Sequence, residues 1–306
     1  MTYTIIDGAK IAKSLKDDVA AEVKTLSNHG IHCGLATVLV GTDYSSRSYQ
    51  HRLARLAGEL DVPHRTVRLA ADCSRDQVLA TLRQLNDDES VSGVLVLRPL
   101  PAQLDEAEVF RTLSPVKDIE AVHPENAGLL ALGTPRYVPS TAAAVFHVLD
   151  SWLDAAAEDR AAFYHNALVV VVGRSNNVGK PLVSLAYDRQ AAVESIDEWA
   201  SRTGRLGWHT RRADVLVVAA GRPGLIRAEH IREGAVVLDV GINPRRDPAT
   251  GHLRMVGDVD FDSVAPRARA ITPVPGGIGP VTDVWLLRNT VAAARAIAAA
   301  KAGDLR

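Results

Sequence analysis

The sequence has few cysteines, and neither its cysteines nor its histidines show the spacing of a metal site. Its two cysteines, Cys33 and Cys73, lie in unrelated segments of the 306-residue chain. This pattern argues against a disulfide framework and a structural zinc, and it favours reduced thiols in the cytoplasm. We therefore predict no metal ligands.

The chain also lacks an excess of charge of one sign and a long apolar run. Its formal net charge is −1 with acids and bases interspersed, so no basic surface for nucleic acid or an anionic membrane is indicated. The longest apolar runs, such as residues 167–172, are far shorter than the roughly 20 residues of a membrane-spanning helix. We expect a cytoplasmic protein with neither nucleic acid nor a membrane as its partner.

Short runs rich in valine and leucine recur along the chain and predict buried strands. Their near-continuous hydrophobicity is typical of strands covered on both faces. Helical patterns lie between them, such as residues 9–26, where apolar residues recur at four-residue spacing. This alternation predicts an α/β fold with parallel sheets. The strand candidates are residues 35–40, 93–97, 167–172, 215–220 and 236–241.

Two features of the pattern bear on domain organisation. Glycine and prolines interrupt residues 133–141, which predicts a domain boundary there. The stretch 281–301 is rich in alanine and leucine and is periodic, so it predicts a closing helix that could return to either domain. A chain of this length has room for two medium domains.

A glycine-containing loop, GRSNNVGKPL at residues 173–182, follows one strand candidate and precedes a predicted helix. A strand, a glycine turn and a helix N-terminus form an anion-binding geometry. The spacing is not G-x-G-x-x-G, so a tight structural turn explains this loop alone nearly as well. Two further strand ends carry glycines, at 219–224 and 239–244. Because ligands of doubly wound sheets lie across such ends, the three loops together predict a dinucleotide site.

Several segments resemble the bifunctional methylenetetrahydrofolate dehydrogenase/cyclohydrolase family, in that family's order and over nearly the whole chain. The most specific is ITPVPGGIGPVT at residues 271–282. The others are IIDGAKIA (5–12), VGTDYSSRSY (40–49), GVLVLRPLP (93–101), KDIEAVHPENAGLL (117–130), GRSNNVGKP (173–181), AAGRPGLI (219–226), VVLDVGIN (236–243) and GDVDF (257–261).

The resemblance implies a two-domain α/β fold. Residues 1–138 and 281–306 would form an N-terminal α/β catalytic domain, to which the C-terminal helix returns. Residues 139–280 would form a Rossmann-like NAD(P)-binding domain. A folate cleft at the junction of the two domains and a homodimer are also implied.

The family's two reactions place different demands on a site. A folate methylene group first gives a hydride to NAD(P)+, which mainly requires that the carbon be held against the nicotinamide. The resulting methenyl cation is then hydrolysed to formyl-tetrahydrofolate. Hydrolysis also needs a positioned group that moves protons, in this family a lysine.

The helix that carries that lysine is altered in this chain. The family's Y-x-x-x-K places both side chains on one helix face, since residues four apart are neighbours. Here it reads YQHRL, so Tyr49 is present and Leu53 replaces the lysine. Arg52 or Arg55 could approach the same place, but a guanidinium stays protonated and is a poor general base.

Other substrate-side positions also depart from the family pattern. Leu97 replaces a glutamine and is followed by Arg98, Glu120 replaces an aspartate that contacts the pterin, and Asp283 stands where an apolar residue is usual. For Arg98 two interpretations stay open. It could contact a substrate carboxylate, Glu120 or Asp283, or it could be a solvated or domain-packing residue.

These comparisons lead to one predicted function with two alternatives. We expect an NAD(P)-dependent methylenetetrahydrofolate dehydrogenase, an enzyme of one-carbon metabolism acting on a tetrahydrofolate one-carbon derivative, whose cyclohydrolase step is weak or lost. The alternatives are a family member with a changed second substrate, and a catalytically silent paralogue that still binds a dinucleotide.

The resemblance assigns the site residues. Tyr49 and Glu120 are the catalytic candidates, with altered positions at Leu53, Leu97 and Arg98. The substrate-binding candidates are Tyr49, Pro99, Leu100, Glu120, Gly276, Gly277 and Asp283. The cofactor-binding candidates are Gly173, Arg174, Ser175, Val178, Gly179, Pro181, Ser201, Arg202, Ala220, Gly221, Gly241, Ile242 and Thr282.

The choice of nicotinamide cofactor depends on the segment IDEWASRT, residues 196–203. Asp197 or Glu198 could accept both ribose hydroxyls and repel a 2′-phosphate, as in NAD sites. Ser201 and Arg202 could instead bind that phosphate, and Arg174 would assist them. We predict NADP, with NAD possible.

Overall fold

The structure is a computed structural model that describes residues 3–246 and 252–303. Its helices are α1 (Gly8–Asn28), α2 (Tyr44–Glu59), α3 (Arg75–Asp87), α4 (Glu106–Thr112), α5 (Pro124–Ala131), α6 (Ser140–Ala155), α7 (Arg160–Asn166), α8 (Gly179–Asp188), α9 (Glu198–Arg202), α10 (Leu206–Thr210), α11 (Phe261–Val264) and α12 (Ile278–Gly303). Its strands are β1 (Thr4–Ile5), β2 (Leu35–Val40), β3 (His64–Leu69), β4 (Gly93–Val96), β5 (Leu168–Val172), β6 (Ala192–Ile196), β7 (Val215–Val218), β8 (Val236–Asp239), β9 (Asn243–Arg246), β10 (Leu253–Val256) and β11 (Ala270–Ile271).

These elements form two compact units. The six-stranded unit contains the described residues up to Lys13 and those between Thr141 and Thr282, and the three-stranded unit contains Ser14–Ser140 and the described residues from Asp283 onward. Each passage of the chain from one unit to the other lies within a helix, namely α1, α6 or α12. The predicted two-domain α/β fold is confirmed.

The division of the chain differs from the predicted domains at the N-terminus. The described residues up to Lys13 belong to the six-stranded unit, whereas the sequence placed them in the other domain. The reason is that β1 pairs in parallel with β11, with Thr4 opposite Ala270. Two residues give too short a run to reveal such an edge strand in the sequence.

The six-stranded unit is built on a parallel sheet with the strand order β6-β5-β7-β8-β11-β1. Strands β7 and β8 are buried along their whole length, as their largely apolar sequences predict, and β8 ends in a buried acid, Asp239. The chain runs from β5 outward to β6 and then returns to the other side of β5 as β7. Ligands of open α/β sheets bind where the direction of winding reverses in this way. The three glycine-bearing loops follow β5, β7 and β8, at this edge of the sheet.

The three-stranded unit has a smaller parallel sheet with the order β3-β2-β4. Its central strand β2 is fully buried, while the edge strand β3 has three exposed and three half-buried residues. Helix α2 follows β2 and Arg98 follows β4. The start of α2 and Arg98 therefore both lie at the carboxyl edge of the sheet. The C-terminal part of α12 packs in this unit, where the Asn289 amide donates to the carbonyls of Ile119 and Val138 at 2.8 Å each. Within the described ranges, no helix is long and apolar enough to cross a membrane.

Candidate active site

The loop after β5 is held in a tight turn by two glycines. Gly173 has a φ of +125°, and a Cβ there would lie 2.2 Å from the carbonyl oxygen of Ala219. A Cβ on Gly179 would lie 2.2 Å from the carbonyl oxygen of Gly173. Side chains are therefore excluded at both positions, and the loop passes directly into the N-terminus of α8.

The residues between these glycines suit an anion. Arg174 and Ser175 are exposed on the loop, and Val178 occupies the N-cap position of α8, where it supplies no side-chain acceptor to the helix amides. The Ser175 hydroxyl accepts from the Gly179 amide at 3.3 Å, and Pro181 is buried in the first turn. The loop thus presents exposed backbone at the positive end of a ten-residue helix, which fits the pyrophosphate of a dinucleotide.

Arg174 reaches across to the end of the neighbouring strand β6. Its Nη1 lies 3.0 Å from the Asp197 carboxylate, and its Nη2 and Nε donate to the Ser195 carbonyl at 2.6 Å and the Ser195 hydroxyl at 3.3 Å. Asp197 also accepts from the Trp199 amide at 3.1 Å and so caps α9. An arginine and an acid therefore share the strand end at which a dinucleotide's adenosine ribose is recognised.

The other predicted residues of this region lie on α9. Ser201 is half-buried there, and Arg202 pairs with Glu198 at 3.0 Å and lies over the Trp199 ring at 5.0 Å. Among the described contacts of Arg202, none is made with Arg174. The structure thus places Arg174 and Asp197 together, and it places Arg202 with Glu198.

Two buried acids that sequence reasoning did not assign organise the loops after β7 and β8. Asp258 accepts from the amides of Ala220, Gly221 and Arg222 at 2.6–2.8 Å. Asp239 accepts from the amides of Gly241, Asp258 and Val259 at 2.9–3.1 Å. The candidates Ala220, Gly221 and Gly241 are therefore positioned by carboxylates, and the signal that could have revealed them is an acid within or beside a fully buried run.

Burial and neighbouring charge act on one of these acids. Burial raises the pKa of Asp239 to about 7. The hydrogen bonds that Asp239 accepts from three backbone amides oppose this rise, and the Asp258 carboxylate adds to it. Asp239 is only 3% exposed, so the loss of hydrating water is the dominant cause of its raised pKa.

The remaining candidates of the six-stranded unit lie near the N-terminus of α12. Gly276 and Gly277 form the turn before this helix, and Thr282 is in its second turn, where its hydroxyl donates to the carbonyl of Ile278 at 3.2 Å. Ile242, which follows Gly241, is 55% exposed. An exposed isoleucine beside a glycine loop is available to an apolar ring of a ligand.

On the substrate side, the structure brings Tyr49 together with an ion pair. The Arg52 Nε donates to Asp283 Oδ2 at 2.6 Å, and the Arg52 guanidinium lies 4.9 Å from the centre of the Tyr49 ring. Burial, with the nearby carboxylates of Asp283 and Glu120, raises the pKa of Tyr49 well above its ordinary value, while Arg52 opposes the rise. Burial also raises the pKa of Asp283, and Arg52 limits that rise.

Arg98 contacts two acids rather than Asp283. Its Nε donates to Glu106 at 2.6 Å, its Nη1 lies 3.7 Å from Glu120, and its guanidinium covers the Phe110 ring at 4.4 Å. Burial raises the pKa of Glu120 to about 7, with Arg98 lowering it and Asp118 raising it. Of the contacts foreseen for Arg98, the structure contains the one with Glu120.

The altered positions Leu53 and Leu97 are both buried, with exposures of 0% and 4%. Leu53 is one turn beyond Tyr49 on α2, and the basic side chain that contacts Tyr49 is Arg52. Pro99 is exposed and Leu100 is half-buried against the core, directly after the strand end at Arg98. No local pattern indicates the Arg52–Asp283 pair, whose members are 231 residues apart.

Both halves of the chain match the same protein family, and relatives of that family align along nearly its whole length. Residues 6–120 match the family model of the tetrahydrofolate dehydrogenase/cyclohydrolase catalytic domain, and residues 139–298 match that of its NAD(P)-binding domain. The chain is 56% identical over 299 residues to Bifunctional protein FolD 3 of Rubrobacter xylanophilus, covering 97% of this chain and 94% of that protein. It is 42% identical to Bifunctional protein FolD of Salinibacter ruber, covering 95% of each.

Solved structures of the same family have a similar fold. The bifunctional FolD enzyme of Campylobacter jejuni has a TM-score of 0.86 at 33% identity, covering 97% of this chain and 100% of that one. The Trypanosoma brucei methylenetetrahydrofolate dehydrogenase-cyclohydrolase, complexed with NADP and an inhibitor, has a TM-score of 0.89 at 32% identity, covering 97% and 99%. With both domain models matched in order and relatives above 40% identity along nearly its full length, the chain belongs to the tetrahydrofolate dehydrogenase/cyclohydrolase family.

Proposed function

We propose that this chain is an NADP-dependent methylenetetrahydrofolate dehydrogenase whose hydrolysis of the methenyl product is weak or absent. The observation that carries the proposal is the contrast between its two sites. The dinucleotide loops keep their tight glycine geometry, whereas the position of the family's lysine is a fully buried leucine, Leu53.

The residues that would hold the cofactor are those of the loop after β5. Backbone amides at the start of α8 and the Arg174 guanidinium supply positive charge for its phosphates. NADP supplies the acceptor for the hydride when it is bound. The complex of the Trypanosoma brucei relative with NADP supports this choice of cofactor.

On the substrate side, Tyr49 and Glu120 are the groups proposed to contact the folate. Because burial raises the Glu120 pKa to about 7, much of this carboxyl is protonated at neutral pH and can donate a hydrogen bond to a ring nitrogen. Burial keeps Tyr49 protonated as well. Both side chains therefore bind and orient, and a hydride loss assisted by the adjacent nitrogen lone pair requires little else.

Hydrolysis of the methenyl cation makes a further demand that these residues do not meet. Water must be deprotonated beside a cation, and Leu53 has no ionisable group. Arg52 contacts Tyr49, but a guanidinium does not deprotonate in proteins and is held here by Asp283. The proposal follows from this loss of a proton-transfer group.

A changed second substrate is the alternative that one observation favours. Three residues that depart from the family pattern take part in ion pairs, Asp283 with Arg52 and Arg98 with Glu120. Paired charges of this kind could recognise a ligand that has both an acidic and a basic group.

We also propose a homodimer in the cytoplasm. Strand β3 pairs with β2 along one side and ends the sheet order on the other, which leaves an edge that a second copy can cover. Cys33 and Cys73 are both free buried thiols, which suits a reducing compartment. Light scattering is expected to give twice the chain mass of 32.8 kDa, and a monomer at micromolar concentration would contradict the dimer.

The test follows the two steps separately. Purified protein is mixed with methylenetetrahydrofolate and NADP, and absorbance records the reduced cofactor and the methenyl compound independently. We expect reduced cofactor to form while the methenyl compound disappears no faster than in its spontaneous hydrolysis. Faster disappearance would contradict the argument from Leu53. Cofactor binding without any turnover would support a silent dinucleotide-binding paralogue instead.

A further inference from the structure

The carboxylate of Asp197 is paired with Arg174, the arginine that would bind the 2′-phosphate of a cofactor. Arg174 places three nitrogens at the end of β6, on Asp197, the Ser195 carbonyl and the Ser195 hydroxyl. The pair is partly open to solvent, with side-chain exposures of 52% for Arg174 and 34% for Asp197. An arriving ligand can therefore reach both groups.

Asp197 cannot simply turn away from that ligand. Its Oδ1 accepts from the Trp199 amide at 3.1 Å, and this bond caps α9 while Oδ2 faces Arg174. A 2′-phosphate bound to Arg174 would thus stand beside a fixed carboxylate of the same sign. A ribose with free hydroxyls would instead find in Asp197 an acceptor for its hydrogen bonds.

We infer that Asp197 determines cofactor specificity in this chain: it offsets the attraction of Arg174 for a 2′-phosphate and lets NAD bind with an affinity close to that of NADP. The inference rests on the nucleotide site of the proposed function. Arg174 is the attractive element and Asp197 the repulsive one, and discrimination between two ligands depends on both.

The test uses adenosine 2′,5′-bisphosphate and AMP, which differ only in the 2′-phosphate and need no catalysis. Their dissociation constants are measured by calorimetry for the full chain and for Asp197→Asn, whose amide oxygen can still cap α9. Glu158→Gln is the matched control, because the Glu158 side chain is 36% exposed and also pairs with an arginine, Arg269, but lies outside the nucleotide loops. Arg174→Gln removes the attractive element.

For the unaltered protein we expect the two affinities to lie within a few-fold of one another. Asp197→Asn is expected to raise the preference for the bisphosphate about tenfold, as loss of one like charge a few ångströms away predicts. Glu158→Gln should leave the preference unchanged, and Arg174→Gln should reverse it. Steady-state kinetics with NADP and NAD should show the same order.

The possible outcomes separate the inference from the proposed function. If both ligands bind and Asp197→Asn leaves the preference unchanged or lowers it, Asp197 only orients Arg174 and the inference is overturned, while the dinucleotide site stands. If neither ligand binds to the folded protein, the proposed nucleotide site fails and the inference fails with it.

Discussion

At the scale of single residues, Glu120 shows how burial changes the chemistry of a substituted side chain. Its side chain is 20% exposed, and burial raises its pKa from an ordinary value of 4.5 to about 7 against the opposing charge of Arg98. The folded state therefore binds more protons than the unfolded chain between these two pH values. The contribution of Glu120 to stability therefore falls as the pH rises through that window.

The corresponding variant is Glu120→Gln. We expect it to be more stable than the unaltered protein above pH 7, by at most about 3 kcal/mol, and this advantage should vanish toward pH 4.5. Urea unfolding at several pH values measures the unfolding free energy of both proteins. Because Asp239 is present in both, its own pH dependence cancels in the difference between them. Glu106→Gln is the control, because Glu106 contacts the same arginine but is half exposed. An advantage that is constant with pH would contradict the raised pKa.

The family resemblance identified these substituted residues but left their partners open. Leu53, Arg98, Glu120 and Asp283 stand out because they depart from the motifs of the family that the chain resembles. Which acid each arginine contacts depends on the packing of distant segments, and Asp283 pairs with Arg52 rather than with Arg98. Neighbours of this kind leave no trace in local spacing.

At the scale of elements, the Arg52–Asp283 pair joins α2 to α12 within the three-stranded unit. Its two sides are unequal, since the Asp283 side chain is 10% exposed and that of Arg52 is 45% exposed. An acid left alone in a buried place has a large desolvation penalty, whereas a half-exposed guanidinium can be hydrated.

Single and double substitutions should expose this asymmetry. Arg52→Leu is expected to lower the unfolding free energy by about 2–3 kcal/mol, and Asp283→Leu by less than about 1 kcal/mol. In the double variant most of the loss should be recovered, so the two changes would be non-additive. Arg55→Leu, which removes an exposed arginine of the same helix, should change stability by no more than about 0.5 kcal/mol. Equal effects of Arg52→Leu and Asp283→Leu in chemical denaturation would contradict the argument.

The central strands and the longest helices could be predicted from the sequence because burial imposes clear patterns. The apolar run at 35–40 is β2, residue for residue, and the run at 167–172 contains β5. The helix expected over residues 9–26 is α1, and the closing helix is α12. The two-residue strands β1, at the sheet edge, and β11, beside it, were missed, because two residues held by pairing with a neighbour show no periodicity of their own.

At the scale of the whole molecule, neither unit is continuous in sequence. The three-stranded unit needs the part of α12 that begins at Asp283, and that part buries Val284, Leu286, Leu287 and Val291. Four such side chains contribute about 6–12 kcal/mol. The whole folding free energy of a domain is about 5–15 kcal/mol, so this unit cannot lose α12 and remain folded.

A fragment of residues 1–140 is therefore expected not to fold. Circular dichroism should show no cooperative thermal transition for it. The same fragment joined by a flexible linker to residues 283–306 should unfold cooperatively, because the linker restores the missing helix. A cooperative transition in the shorter fragment would show that the core of β2, β3 and β4 is sufficient without α12.

The two buried acids of the six-stranded unit have an evolutionary consequence. Asp258 holds the amides of the loop after β7, and Asp239, at the end of β8, holds the amide of Asp258 itself. The two loops therefore share one chain of hydrogen bonds. Insertions or deletions in either loop should be inherited only together with compensating changes in the other, so the nucleotide-facing edge is expected to diversify as a single block.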